Sequence, residues 1–374
     1  MNTKANPKRA LAATALVLFF VSPVTAYHYY YCTNNGKKVV WPSKELRWRA
    51  GKNSFQVGTG WRDALVLANG RWNQAPGRFT FGIRNWNETY VGRGNGQNEI
   101  WFSTNQNILD GAPALCSSRW RCKSSGTAEW IEMDIIFDAT VQYSKSDYQY
   151  TKWGYGGDWR PWGTTALHEM GHALGLAHTN NTYNIMGEDW DHIHANNGKV
   201  RHYAGEDAGN GEVFLYGKTH NSKPNDLGVT HWKYGGADGA YSEHVLTQLY
   251  HTDGTTVVGW NEYLGQRRFN VRRGQSYQVE FTYENNGYYN RSGINTAWYI
   301  STNDYVTTLD RRIRTGTFTL SRNTVYTTKT TITIPNDLTV GQTYWLGVVI
   351  DYTGSITEFS EVNNATGMPI RVID

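Results

Sequence analysis

The 374-residue chain reads as two domains of different class. The first is an α+β domain built around an active-site helix, and the second is an all-β, immunoglobulin-like sandwich. Three observations carry this assignment. The run His168-Glu169-Met170-Gly171-His172-Ala173-Leu174-Gly175-Leu176-Ala177-His178 sits in a stretch with helical spacing of apolar residues. Ahead of it come one more helical pattern and several strand patterns. Past Lys218 strand patterns recur with no helical period. The expected divisions are a leader at 1–26, the first domain at 27–217, a linker at 218–225 and the sandwich at 226–374.

The leader has a basic start (Lys4, Lys8, Arg9), an apolar run from Ala10 to Val21 and small residues at Val24-Thr25-Ala26. That is the pattern of a Sec-type signal peptide, cleaved near Ala26-Tyr27, and its apolar run is too short to span a membrane. No later stretch is long and apolar enough for a span, so a secreted, extracellular protein is expected. Of 36 basic residues the leader holds three, which leaves 33 against 32 acidic. A near-neutral chain gives no case for nucleic acid. Twelve tryptophans fall between Trp41 and Trp190. Sugar-binding platforms are one use of such residues; cores and sheet faces are the preferred one.

In the first domain, Trp61, Ala64, Leu65, Ala68 and Trp72 recur at helical spacing between Gly60 and Gly77. Residues 78–83 and 98–103 read as strands, with the glycine-rich segment 92–96 as loop. The strongest strand is Glu129 to Thr140, with Ile131, Met133, Ile135 and Phe137 on one face. Asp134 and Asp138 are expected to face solvent. Calcium there is admitted but not required, since it wants six or more oxygens and no loop supplies them. The active-site helix is expected to start near Gly163, with Thr164 or Thr165 as N-cap. Asp189, Asp191, His192 and His194 are read as solvated loop residues.

The histidine run carries the chemistry. Residues four apart share a helix face, so His168 and His172 can reach one metal. Gly175 lets the chain leave the helix, because glycine tolerates positive φ, and His178 returns as third ligand. Three imidazoles with a fourth position open suit one catalytic Zn²⁺. Glu169, beside the first ligand, is placed to take a proton from metal-bound water. Two solvated histidines on a surface helix would explain a bare HExxH, but not the added Gly175 and His178. The extended motif resembles the metzincin clan of zinc endopeptidases, and Leu174 to Thr179 is most similar to its matrixin branch. The resemblance implies a zincin-like domain with a twisted mixed sheet. It also implies a Met-turn at Asn184-Ile185-Met186-Gly187 with Met186 beneath the metal, and a last helix running from Ala204 to a closing Tyr216-Gly217. The segment after Met186 departs from the matrixin pattern, so side-chain preference does not carry over. Residues 143–163 lack the His/Asp cluster that gives matrixins a second, structural zinc.

Export permits disulfides among Cys32, Cys116 and Cys122. Cys116 and Cys122 are close enough in sequence to bridge a small loop, with Cys32 as the odd thiol, although sequence leaves the connectivity open. No matrixin-like propeptide motif surrounds Cys32, so it is not expected to cap the zinc.

In the second half Tyr277, Val279, Phe281 and Tyr283 alternate with polar residues, and Asn285-Asn286-Gly287 ends that strand as a turn. Residues 298–300, 331–334 and 344–350 follow as further strands. The segments Phe281 to Gly287, Gly341 to Tyr344, Asp351 and Glu358-Phe359-Ser360-Glu361-Val362-Asn363-Asn364 resemble the bacterial CARDB family of adhesion-related sandwiches. This half is expected to serve as spacer or as binding module for an extracellular or cell-surface ligand. The expected activity is zinc-dependent hydrolysis of protein or peptide substrates. The competing readings are a secreted adhesin with an inactive metzincin domain, and a zinc hydrolase of a non-peptide cell-wall substrate.

Overall fold

A computed structural model of the chain describes residues 28–33, 36–123, 126–145, 160–178, 185–186, 193–197, 199–219, 225–236, 243–285, 287, 289–322, 324–358 and 360–374. The expected leader, most of the loop 143–163, Thr179, Asn184, Gly187, Asp189, Asp191, His192, residues 220–224 of the linker and the side chain of His194 lie outside them. The fold is mostly β-sheet with few helices. Among the described residues no helix is long and apolar enough to cross a membrane.

The N-terminal half holds a five-stranded sheet in the order Thr80–Glu88, Glu45–Gly51, Glu99–Ser103, Ala128–Asp138, Ala114–Cys122. Neighbours run parallel except the last pair, which is antiparallel. Helices Trp61–Asn73 and Trp162–Leu174 share one core with it. The strand Glu45–Gly51 has a legible pattern: Leu46, Trp48 and Ala50 are buried and alternate with Glu45, Arg47 and Arg49.

Three expectations need correction. Strand alternation puts Ile131 with Met133, Ile135 and Phe137, yet it is 39% exposed. A register shift opposite Arg119/Trp120 turns the strand locally, and Trp130 enters the core instead. Asp134 and Asp138 were expected in solvent, yet they are 1% and 6% exposed. Gly94, Asn95 and Gly96 donate their backbone N–H groups to Glu132 on the same face, and Asp134 accepts from the Glu99 N–H. Asp138 is held by Thr140 and Gln106. These buried carboxylates persist because they are hydrogen-bonded within the protein. Thr164 and Thr165 are not caps; both are fully buried inside a helix that already begins at Trp162. The Trp162 ring packs against Phe55, Trp61 and Phe137, which draws that first turn into the core.

The C-terminal half is a sandwich of two sheets with its own core. One sheet runs Trp260–Tyr263, Gln266–Arg272, Ala365–Ile373, Thr343–Ile350, Arg291–Ser301, Arg311–Leu320. In the other, Ser276–Asn285 pairs with Leu227–Thr230, Leu249–Tyr250 and Thr324–Thr333. Tyr277, Val279, Phe281 and Tyr283 point inward, as their alternation requires.

Candidate metal centre

The helix Trp162–Leu174 is fixed along its length before any ligand is considered. The Trp72 indole donates to the Leu167 carbonyl at 3.1 Å. The last carbonyls of a helix have no partner within it. Here the Trp41 indole takes that of Ala173 at 2.8 Å and the Tyr216 hydroxyl that of Leu174 at 2.5 Å. Gly175, at φ +115°, ends the helix, and its N–H returns to the His172 carbonyl at 2.9 Å. A side chain at this φ would be strained, and a Cβ would also stand 3.2 Å from the Trp130 indole nitrogen.

This turn brings His178 back to His168 and His172. Their Nε2 atoms lie 3.1 Å apart (His168–His178 and His168–His172) and 3.0 Å apart (His172–His178). Among the described residues this is the one group of three or more metal-ligating side chains whose donor atoms converge. Tetrahedral zinc with Zn–N near 2.0–2.1 Å wants nitrogens roughly 3.3 Å apart, so the triangle fits such an ion to within a few tenths of an ångström.

The donor chemistry fits as well. His168 Nδ1 faces the Ile185 carbonyl and His172 Nδ1 the Leu176 carbonyl at 2.9 Å. A carbonyl only accepts, so each Nδ1 carries the proton and each Nε2 lone pair faces the shared centre. Burial, then the neighbouring imidazoles, hold His168 well below the usual histidine range. The same causes bring His172 to about 4, and burial lowers His178. All three are therefore neutral at neutral pH, the form in which imidazole can ligate a metal. His168 is buried and His178 exposed, so the centre opens to solvent on the His178 side.

Glu169 is 3% exposed in the same helix turn. Its charge reaches Cys116 on the edge strand and Tyr30, each raised first by burial. Met186 lies against this helix. It is 2% exposed, and a Cβ added at Gly171 would stand 2.2 Å from its sulfur. The glycine between His168 and His172 thus makes room for the methionine.

The N-terminal segment contributes more than the sequence suggested. His28–Tyr29 pairs antiparallel with Leu176–Ala177, the two residues before His178. The Tyr30 N–H donates to Gly175, and its ring stands 6.5 Å from that of His172. Burial pushes the phenol up to about 12. The aromatic run Tyr29-Tyr30-Tyr31 was visible in sequence, but nothing local says where it docks.

The expected Cys116–Cys122 bridge does not form. Both residues lie on the strand Ala114–Cys122, six positions and therefore about 20 Å apart, and a disulfide needs Cα atoms within about 7 Å. Cys122 instead bonds Cys32, with Cα atoms 5.9 Å apart, and Cys116 is free. The bond staples the N-terminal segment to the edge strand beside the site.

The CARDB family model matches residues 266–368. Among solved structures, the crystal structure of the CARDB domain of the PF1109 protein from Pyrococcus furiosus, in complex with di-metal ions, is similar. It shares 13% identity over 40% of this chain and 89% of that one, with a TM-score of 0.24. A solution structure of the same domain shares 17% identity over 28% of this chain and 85% of that one, with a TM-score of 0.22. No curated protein matches the chain. The resemblance read from Phe281 to Asn364 is borne out to this extent: residues 266–368 form a CARDB domain within the C-terminal β-sandwich.

Proposed function

We propose that the chain is a secreted, zinc-dependent metalloendopeptidase with a metzincin, matrixin-like N-terminal domain. The observation that carries this reading is the triangle of three Nε2 atoms at 3.0–3.1 Å, with the tautomers of His168 and His172 set by backbone carbonyls. Met186 under Gly171 and a mixed sheet with an antiparallel edge strand support the metzincin assignment. The Cys32–Cys122 disulfide is compatible with an exported protein.

When bound, a zinc ion at this triad supplies a Lewis acid and a water of lowered pKa. His168, His172 and His178 would hold it. Glu169 takes the proton of the attacking water and hands it to the leaving amine. The antiparallel edge strand Ala114–Cys122 offers backbone groups to an extended peptide. The CARDB match over residues 266–368 is consistent with a binding role for the sandwich, toward an extracellular or cell-surface ligand, with a spacer role as the alternative.

A casein or gelatin zymogram, run with and without chelator, tests the activity. Clearing that the chelator abolishes and zinc restores is expected. The Glu169→Ala protein keeps about one zinc per chain, by ligand count, and loses turnover. Chelator-insensitive clearing, or full turnover by the Glu169→Ala protein, overturns the reading.

A further inference from the structure

Arginine, and hardly any lysine, carries the positive charge of the C-terminal half: of the 12 basic residues in 226–374, 10 are arginines. Five of them gather on the strand Gln266–Arg272, the turn after it and the neighbouring strand Ala365–Ile373: Arg267, Arg268, Arg272, Arg273 and Arg371. The two strands pair in parallel, with Asn270 opposite Arg371. Side chains alternate between faces, so Arg268, Asn270 and Arg272 share one face at steps of about 6.6 Å, with Arg371 beside them. Phe269 and Val271, between them, enter the sandwich core, so this face is the outer one.

Among the described residues the ion pairs of the sandwich are Lys233–Glu280 and Arg311–Asp337, away from these two strands. Like charges on neighbouring strand positions repel, a cost that an anion lying across them removes. Two of the arginines are held ready by aromatic rings. The Arg267 guanidinium lies over Trp260 and that of Arg268 over Tyr263, each at 4.5 Å. Arg268 also donates to the Thr343 hydroxyl at 2.8 Å. A guanidinium fixed beforehand loses little freedom on binding, and its planar fork matches a pair of acidic oxygens.

The row runs into a cleft of about 700 Å³ lined by His251, Asn270, Arg272, Gln275 and Ser276. That volume is within the range of small-ligand sites. The side chains of His251, Asn270, Arg272 and Gln275 make no hydrogen bond to other described residues. Their imidazole, amide and guanidinium groups remain for the hydroxyl and acidic oxygens of a ligand.

We propose that this row and the cleft at its end bind an anionic polysaccharide, its acidic groups along Arg268, Arg371 and Arg272 and a sugar ring in the cleft. Residues 226–374 hold 14 acidic residues against 12 basic, so attraction for anions is confined to the row, unlike the broad basic face that suits nucleic acid. The inference rests on the reading of the sandwich as a binding module and is independent of the peptidase reading.

The test titrates the full-length protein with polygalacturonate, dextran sulfate, plain dextran and duplex DNA, at low and at physiological salt. Binding to polygalacturonate or dextran sulfate that weakens as salt rises is expected, with none to plain dextran; the preferred polymer tells carboxylate from sulfate recognition. Arg272 and Arg371 are exposed, so Arg272→Gln and Arg371→Gln should fold and each should weaken binding by about tenfold. Arg47→Gln, in the other half and of equal net charge, should bind as wild type does. Equal loss in Arg47→Gln, or none in the two sandwich variants, overturns the site. Tighter binding of DNA overturns the polysaccharide assignment. Binding of plain dextran alone overturns the anionic class yet keeps the sandwich a binding module, whereas binding of none of the four overturns the inference and favours the spacer role.

Discussion

Replacing Cys32 with serine tests the staple that the structure sets beside the cluster of His168, His172 and His178. The bond closes a loop with a sequence separation of 90. In the chain-entropy account, losing a loop of that size costs about 4.6 kcal/mol at 25 °C. For a domain of this length, each kcal/mol moves the melting midpoint by about 2–4 °C, so Cys32→Ser should melt on the order of 10 °C lower. Cys116→Ser should change little, because that thiol is free. The alternative bridge, Cys116 to Cys122, would close only a short loop worth about 2.3 kcal/mol, and would make Cys116→Ser the costly variant. Thermal melts of the oxidised proteins, followed by circular dichroism, separate the cases. Equal melting of wild type and Cys32→Ser, or a larger loss in Cys116→Ser, refutes the reasoning. Because the stapled segment pairs with Leu176–Ala177, the Cys32→Ser protein should also release zinc more readily.

Two further outcomes follow from packing and from burial. Gly171→Ala places a methyl where the Met186 sulfur stands, at a cost of about 1–3 kcal/mol; a melt and a zinc-retention measurement check it, and an unaltered protein would remove Met186 from beneath the helix. Glu212 is 1% exposed, and burial raises its carboxyl from 4.5 to about 8. The folded state therefore binds the extra proton. This stability is fully present below about 4.5, and it is lost as pH rises through about 8. Glu212→Gln cannot ionise, so its melting midpoint should gain on wild type between pH 5 and 9, by on the order of a few kcal/mol in stability. A constant gap across that range refutes the assignment.

What the sequence determined by itself is local. His168 and His172 converge because four residues make about one helical turn, and Gly175 permits the reversal that returns His178. The inward face Tyr277, Val279, Phe281, Tyr283 follows from the two-residue period of a strand. Each of these needs only the chain's own repeat. Tertiary structure alone decided what depends on partners distant in sequence. Cys122 meets Cys32 and not its near neighbour Cys116, because an extended strand holds the near one away. Asp134 and Asp138 are buried because loop, helix and turn residues fold over a face that composition marks as polar. Tyr30 reaches the His172 ring, and Asn196 reaches Val306, through contacts that no periodicity encodes. The chemistry of the triad is written in eleven consecutive residues, His168 to His178, because helix and turn are short-range structures. The support around it comes from the strand His28–Tyr29 and from Trp41, Trp72 and Tyr216, which meet the helix only when the whole chain packs.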